Sequence, residues 1–450
     1  MLNNALQNSL IFYFGFQINY KRKCYNEKKT KILEKLSLRL QKIKDIALDP
    51  FTKESSRKNE RCFTRSRKMV FSALLIFGLQ MVKNALPVRL TNFSLDFLKE
   101  SPMSQPAYSK ARNKFDHTPF VTMFRALVED EYCGDYKHNK FKGHYVFATD
   151  GSYNNLPATD EMIAHFGTFG NSTNPMAGSS IIYDVMNERI VDASLVPSVM
   201  NEREECIRHI EFMQNKMGHI IDKTILLLDR GYQSAELFLK LQNSGIKFIV
   251  RCTSRSSQEI LSAPMGKSEV TLSNGVRLVV IKFFLPDGTV QILVSNLFEF
   301  SLKDFQKLYR KRWGVEGMYN RLKNIYCIEN FSGKTVNSIY QDFWATLVMY
   351  NLIADFFDEA NKQIKQEQKN KTLKYEYKTR YSNLVITLRE RFIAAFFAND
   401  PDLLETEMLY MLDTVMKEIK RTKSPIRPDR SFPRKPKIKK RFNQNLKSHY

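Results

Sequence analysis

Cysteine, tryptophan and acidic residues are all scarce in this chain of 450 residues, and each shortage excludes something. The six cysteines stand at 24, 62, 133, 206, 252 and 327, with no pair at Cys-x-x-Cys spacing. Zinc-knuckle and dithiol redox motifs are thereby excluded, and scattered thiols suit a reducing, cytoplasmic setting. Long apolar runs are missing too. Residues 9–18 and 70–82 are both shorter than the roughly 20 residues a helix needs to span a bilayer. Basic residues follow the first run rather than precede it, unlike a secretory signal. No internal repeat is present. Acids number 47 against 70 Lys and Arg, which leaves a net charge of +23. Such an excess repels itself in a compact chain, and a polyanion such as nucleic acid relieves it.

The length predicts several domains. Residues 1–64 are basic and weakly patterned. Residues 65–135 read as a helical DNA-binding domain. Apolar residues recur at helical spacing from Met69 until Pro87 stops the run. A further helix follows Ser104, a plausible N-cap, and carries Tyr108, Lys110, Arg112 and Lys114. Small helices ending in a basic one suit a DNA groove, although a solvated helix face gives the same pattern. Residues 140–334 alternate strands and helices in the order β-β-β-α-β-α-β, a mixed α/β sheet. A β-rich insertion at 253–300 interrupts them, with turns at Ser273-Asn274-Gly275 and Pro286-Asp287-Gly288. Residues 335–422 read as wholly helical. The tail at 423–450 is basic. From Lys420 to Tyr450 there are twelve Lys or Arg, one acid and four prolines, which suits sequence-independent phosphate contact.

Two acids occupy equivalent places. Asp150 ends the apolar run 144–149 and precedes Gly151. Asp229 ends the apolar run 224–228 and precedes Arg230-Gly231. Side chains at the carboxyl ends of strands line the rim where α/β sheets bind ligands. Paired carboxylates repel one another unless a cation intervenes, and magnesium suits an all-oxygen site. A lone Asp at such a place can equally well cap a turn.

The helix expected from Ser301 to about Ile325 adds a third acid. Tyr309, Arg312, Glu316 and Lys323 stand at offsets 0, +3, +7 and +14. At about 100° per residue all four fall within a stripe about 60° wide. Asp304, the other acid of this helix, points about 120° away from Glu316 and is a poor rival. Arg312 and Glu316 could also form a simple surface ion pair.

Tyr309-x2-Arg312-x3-Glu316-x6-Lys323 resembles the Tyr-Arg-Glu-Lys signature of the insertion-sequence-four family of DDE transposases. Asp150-Gly151-Ser152, Asp229-Arg230-Gly231-Tyr232 and the β insertion agree with it, and residues 104–115 resemble the family's end-binding region. The resemblance covers about 65 to 350. It implies a ribonuclease-H-like catalytic core flanked by an N-terminal helical DNA-binding domain and a C-terminal helical region. Asp150, Asp229 and Glu316 would be catalytic and would hold two Mg²⁺ ions, for which Mn²⁺ could substitute. Tyr309, Arg312 and Lys323, with Lys110, Arg112 and Lys114, would contact DNA. The implied partners are double-stranded DNA, at transposon ends and target, and a second copy of the chain; no membrane partner is implied. The resemblance also implies cut-and-paste transposition through hairpin ends. One departure bears on the hairpin: family members stack a flipped base on a tryptophan of the insertion. This chain has only Trp313 and Trp344, both outside it, leaving Phe283, Phe284 or Phe298 as substitutes. Other readings are a degenerate DNA-binding relative that does not cut, a nuclease of the same fold without joining, and a basic structural protein.

Overall fold

The computed structural model describes residues 27–427, apart from 66–67, 81–84, 171, 370 and 398–400. Most of the basic tail, from 428 on, and the first part of the N-terminal segment lie outside the described residues.

Eight strands form one mixed sheet: β1 (Tyr145–Asn155), β2 (Met176–Asp184), β3 (Arg189–Pro197), β4 (Thr224–Leu228), β5 (Lys247–Cys252), β6 (Gly266–Thr271), β7 (Arg277–Phe284) and β8 (Val290–Ser295). Their spatial order is β3-β2-β1-β4-β5-β8-β7-β6. The first three make an antiparallel meander, while β4 runs parallel to β1 and β5 parallel to β4. All five residues of β4 are buried, as a parallel strand covered on both faces requires. The mixed α/β sheet expected from the sequence is therefore present. The segment expected as an insertion does not interrupt it. β8 pairs antiparallel with β5, from Ile249↔Ser295 to Cys252↔Ile292, so β6–β8 prolong the same sheet. Both corners of that meander turn on a glycine at positive φ, Gly275 at 81° and Gly288 at 79°.

The helices that matter here are α1 (Glu27–Leu48), α2 (Gln105–Arg112), α3 (Thr118–Cys133), α4 (Glu202–Met217), α5 (Leu302–Lys311), α6 (Trp313–Asn324) and α7 (Val336–Gln368). Helix α7 is buried for most of its 33 residues. It covers the free edge of β3, where Asn351 accepts from the Ile190 N–H (3.0 Å) and donates to the Ile190 carbonyl (2.9 Å). No described helix is long and apolar enough to cross a membrane.

Three expectations change. The weakly patterned N-terminal segment holds α1, which packs on α3 and α7 in the common core through Leu36, Leu40 and Ile43. Pro87 sits in the first turn of a helix (Leu86–Phe93) and so starts one rather than only ending another. The single helix expected after Ser301 is two. At Arg312 the ladder tightens to i→i−3 bonds, Arg312 N–H to Tyr309 O and Val315 N–H to Arg312 O, both 3.1 Å.

Arg39 of α1 is 1% exposed and meets three acids. It donates to Asp130 (2.9 Å) and to Asp355 of α7 (2.5 Å), and pairs with Glu131. Arg189 and Lys35 also reach Asp355, each at 3.0 Å. Burial would raise the Glu131 and Asp355 carboxyls, but these cations, with His138 beside Glu131, hold both below the usual range.

Candidate active site

Parallel pairing of β1 with β4 runs from Tyr145↔Thr224 to Ala148↔Leu227. The same offset of 79 residues links Asp150 with Asp229, which follows β4 directly, so the two acids come from neighbouring strands just beyond the last parallel pair. Asp150 is not at a strand end, as the sequence suggested. β1 continues to Asn155 because its other neighbour, β2, keeps pairing as far as Asn155↔Met176. What ends near Asp150 is the parallel ladder. The chain leaves β4 at Asp229, and this opens a notch above both carboxylates.

Asp229 also ties down its own turn, as the alternative reading had it, whereas Asp150 lies within β1 and caps none. Asp150 accepts from the Gly151 N–H (2.9 Å) and Asp229 from the Gly231 N–H (2.7 Å). A local role and a chemical one coexist. Burial, then the charge of Asp229, push the Asp150 carboxyl up to about 7, against the pull of Arg312.

Helices α5 and α6 bring the rest. Arg312 forks between acids, with Nη2 2.7 Å from Glu316 Oε1 and Nη1 3.8 Å from Asp150 Oδ2. Glu316 and Asp150 are thus within the span of one guanidinium. The Tyr319 hydroxyl fastens α6 to the sheet, within hydrogen-bond reach of the Asp150 carbonyl (2.9 Å) and the Ser179 carbonyl (3.0 Å). Lys323 donates to the Tyr153 carbonyl and lies 3.8 Å from Glu329. Asp304 stays out of the site. It closes a capping box with Ser301 and pairs with Lys142 at 2.7 Å.

The stripe therefore meets the sheet rim, but two members do not stand outward as strand contacts. Tyr309 and Arg312 are 6% and 7% exposed. The Tyr309 hydroxyl and Arg312 Nε are buried without a hydrogen-bond acceptor among the described residues. Arg312 is turned toward the carboxylates with which it pairs. Among the described residues no three His, Cys, Asp or Glu side chains are arranged to hold a metal ion. The donors are nevertheless all carboxylate oxygens with one guanidinium among them, a set whose chemistry fits a hard divalent cation.

One acid of the site was missed in the sequence. Glu202 opens α4 directly behind its N-cap, Asn201. Its carboxylate reaches over the notch. A methyl group built on Gly151 would lie 2.5 Å from Glu202 Oε1, and one on Gly231 would lie 3.3 Å from Oε2. Burial and the charge of Asp229 raise its pKa. An acid in the first turn of a helix is ordinary, so nothing marked Glu202 in the sequence.

The basic residues of α2 part company. Lys110 is exposed and Lys114 half-buried. Both line a cleft of about 1060 Å³ together with Lys53, Arg61 and Arg65. Arg112 is not available to DNA. It lies on the same face as the buried Tyr108, four residues earlier, and donates to Gln341 (2.6 Å), Ser332 (2.5 Å), the Ser338 carbonyl (2.9 Å) and Asp342 (2.7 Å). It is a structural tie between α2 and α7. A Ser180–His209–Asp192 chain under β2 has hydrogen bonds of 3.1 and 2.9 Å, but all three residues are buried, which closes it to substrate.

The family described as the transposase DDE domain matches residues 178–352. That stretch contains Asp229, Tyr309, Arg312, Glu316 and Lys323 and begins after Asp150. A probable transposase for insertion sequence element IS5377 of Geobacillus stearothermophilus is 26% identical over 143 residues, 30% of this chain and 37% of the relative. The match thus spans little more than a third of that relative's length. Among solved structures, the piggyBac transposase synaptic complex with hairpin DNA aligns over 84% of this chain and 85% of that one, at 10% identity and a TM-score of 0.48. Over residues 178–352 the chain is similar to DDE transposases, the enzyme class that its sequence led us to expect.

Proposed function

We propose that this chain is a DNA transposase of the insertion-sequence-four type, in which Asp150, Asp229 and Glu316 form the catalytic triad of a ribonuclease-H-like core. The observation that carries this reading is the forked contact of Arg312 with Asp150 and Glu316, supported by the parallel pairing of β1 with β4, the strands that lead to Asp150 and Asp229. The strand order β3-β2-β1-β4-β5 supports the core, since it sets both aspartates at the centre of the sheet rim.

The three carboxylates would hold two Mg²⁺ ions, or Mn²⁺ in their place. Bound there, the metal supplies activation of the attacking oxygen, water or a 3′ hydroxyl, and neutralises charge on the leaving oxygen. Without it, Asp150 holds a proton for a large part of the time near neutral pH, which lessens its repulsion with Asp229. Arg312 neutralises acids in the same notch and is placed to turn one Nη toward a phosphate oxygen entering there. Tyr309 is buried within the fold rather than touching the strand itself. Lys323, farther along α6, faces the outer part of β1 and suits a flanking phosphate. Lys110 and Lys114, on the basic cleft, are the end-binding contacts of this reading.

Two transposon ends have to be joined, so the working form on DNA is a homodimer. Cut-and-paste through hairpin ends also belongs to this reading. Trp313 follows Arg312 and is 55% exposed at the site, where its ring can offer the stacking face that the insertion lacks in tryptophan.

The test is a labelled 3′-hydroxyl end supplied with Mg²⁺. Strand joining supports a transposase, cleavage alone a nuclease, and binding without either a degenerate relative. Glu316→Gln is expected to bring cleavage down to background and leave end binding intact. Cleavage at the wild-type rate in that variant removes Glu316 from the triad.

A further inference from the structure

We propose that Glu202 is a fourth carboxylate of this centre, reaching between the middle of β1 and the end of β4 to help hold the divalent cation assigned to Asp150 and Asp229. The inference rests on the proposed reading of that notch as the cation site.

Four observations place it there. Glu202 comes from a different element, α4, yet its two oxygens face the two aspartate-bearing segments, one toward Gly151 in β1 and the other toward Gly231 just after β4. Both positions lack a Cβ, and a Cβ at 151 would collide with the carboxylate. No hydrogen bond or ion pair reaches Glu202 from any described residue, although Ser194, Arg208 and Arg203 serve other groups nearby. Finally, the Tyr232 hydroxyl is completely buried and has no partner among the described residues, and the charges of Glu202 and Asp150 both bear on it. An unused donor beside unneutralised acids marks a place built for something with both positive charge and oxygen ligands, as a hydrated dication is.

A purely structural Glu202 makes little physical sense. Apart from the ordinary help of its helix N-terminus, it sits against like charge with no cationic partner among the described residues. Its removal should then relax the metal-free protein and weaken it only toward metal.

The test uses Mn²⁺ titrated calorimetrically into full-length protein, with thermal unfolding followed with and without the ion. Glu202→Gln is expected to lower Mn²⁺ affinity by about tenfold or more. It should raise the metal-free Tm and shrink the Mn²⁺-induced rise in Tm. Glu202→Asp should recover part of the affinity. Asp229→Asn is the control for the site itself. If Asp229→Asn weakens Mn²⁺ binding and Glu202→Gln does not, Glu202 is no ligand and the triad stands alone. A Glu202→Gln variant with lower metal-free Tm and unchanged Mn²⁺ affinity likewise overturns the proposal in favour of a structural role. If wild-type protein and both variants bind Mn²⁺ equally poorly, the reading of the notch fails as well.

Discussion

Two clusters of acids in this molecule are built from the same chemistry and left in opposite states. Around Arg39, the carboxylates of Glu131 and Asp355 are more deeply buried than those at the sheet rim, yet their pKa values are lowered. At the rim, Asp150 and Glu202 are less buried and their pKa values are raised. Burial works in the same direction in both places, so the difference is the supply of cations. Arg39, Arg189 and Lys35 converge on the first cluster. Among the described residues Arg312 alone forms an ion pair in the second, and there it also pairs with Glu316. Several cations match the acids around Arg39, whereas the rim acids share one guanidinium, a shortage that suits a place where further positive charge comes from outside the chain.

The contrast can be broken most severely from the paired side. Arg39→Ala leaves buried carboxylates without their partner and should destabilise the protein by about 3–5 kcal/mol, read from denaturant unfolding. Arg312→Ala, at the rim, should cost far less stability, because its acids are partly solvated. Equal losses in the two variants would dissolve the distinction.

A smaller effect comes from pH. The folded-state pKa of Asp150 lies above its unfolded value. Between about 4 and 7 the folded, metal-free protein therefore binds more protons than the unfolded chain. Stability should rise as pH falls through that window, by at most about 1.4 kcal/mol per pH unit from this group. The Arg39 cluster has the opposite sign. Its Glu131 and Asp355 carboxyls are lowered, so the stabilisation they bring is complete above their unfolded pKa and is lost only below about pH 4. Asp150→Asn should flatten the dependence between 5 and 7 and leave the acid limb unchanged. A slope that persists in Asp150→Asn assigns the pH response to another group.

The smallest expected change is at the basic cleft. Lys110→Ala and Lys114→Ala should each weaken DNA binding evenly across sequences and reduce the slope of log affinity against log salt by about 1. An unchanged slope takes the cleft out of end binding.

Much of this arrangement is legible in the chain. β4 and β5 fall at the residues expected, because short apolar runs covered on both faces have little freedom to shift. The hairpin of β2 and β3 and the glycine corners of the β6–β8 meander are set by local turn chemistry. Asp150 proved to be mid-strand because β2 extends the ladder, and partner length is a tertiary fact. The turn at Arg312 escaped periodicity because a tightened bond pattern shifts the stripe by only a fraction of a turn. Arg112 was readable in principle, since Tyr108 lies one turn before it on the same face and goes inward. Glu202 was not readable. Its meaning depends on Gly151 and Gly231, which are distant in sequence and are joined to it only by the sheet.

The contact of Arg39 with Asp355 spans 316 residues. During synthesis α1 emerges long before the segment that will neutralise its guanidinium. Until α7 has left the ribosome, the N-terminal helix cannot be sealed into its final seat. A polypeptide cut short before residue 355 would expose that seat to solvent and to proteases. The assembled state is thereby reserved for chains whose C-terminal half has been made, including the glutamate and the helix that carry it to the sheet rim.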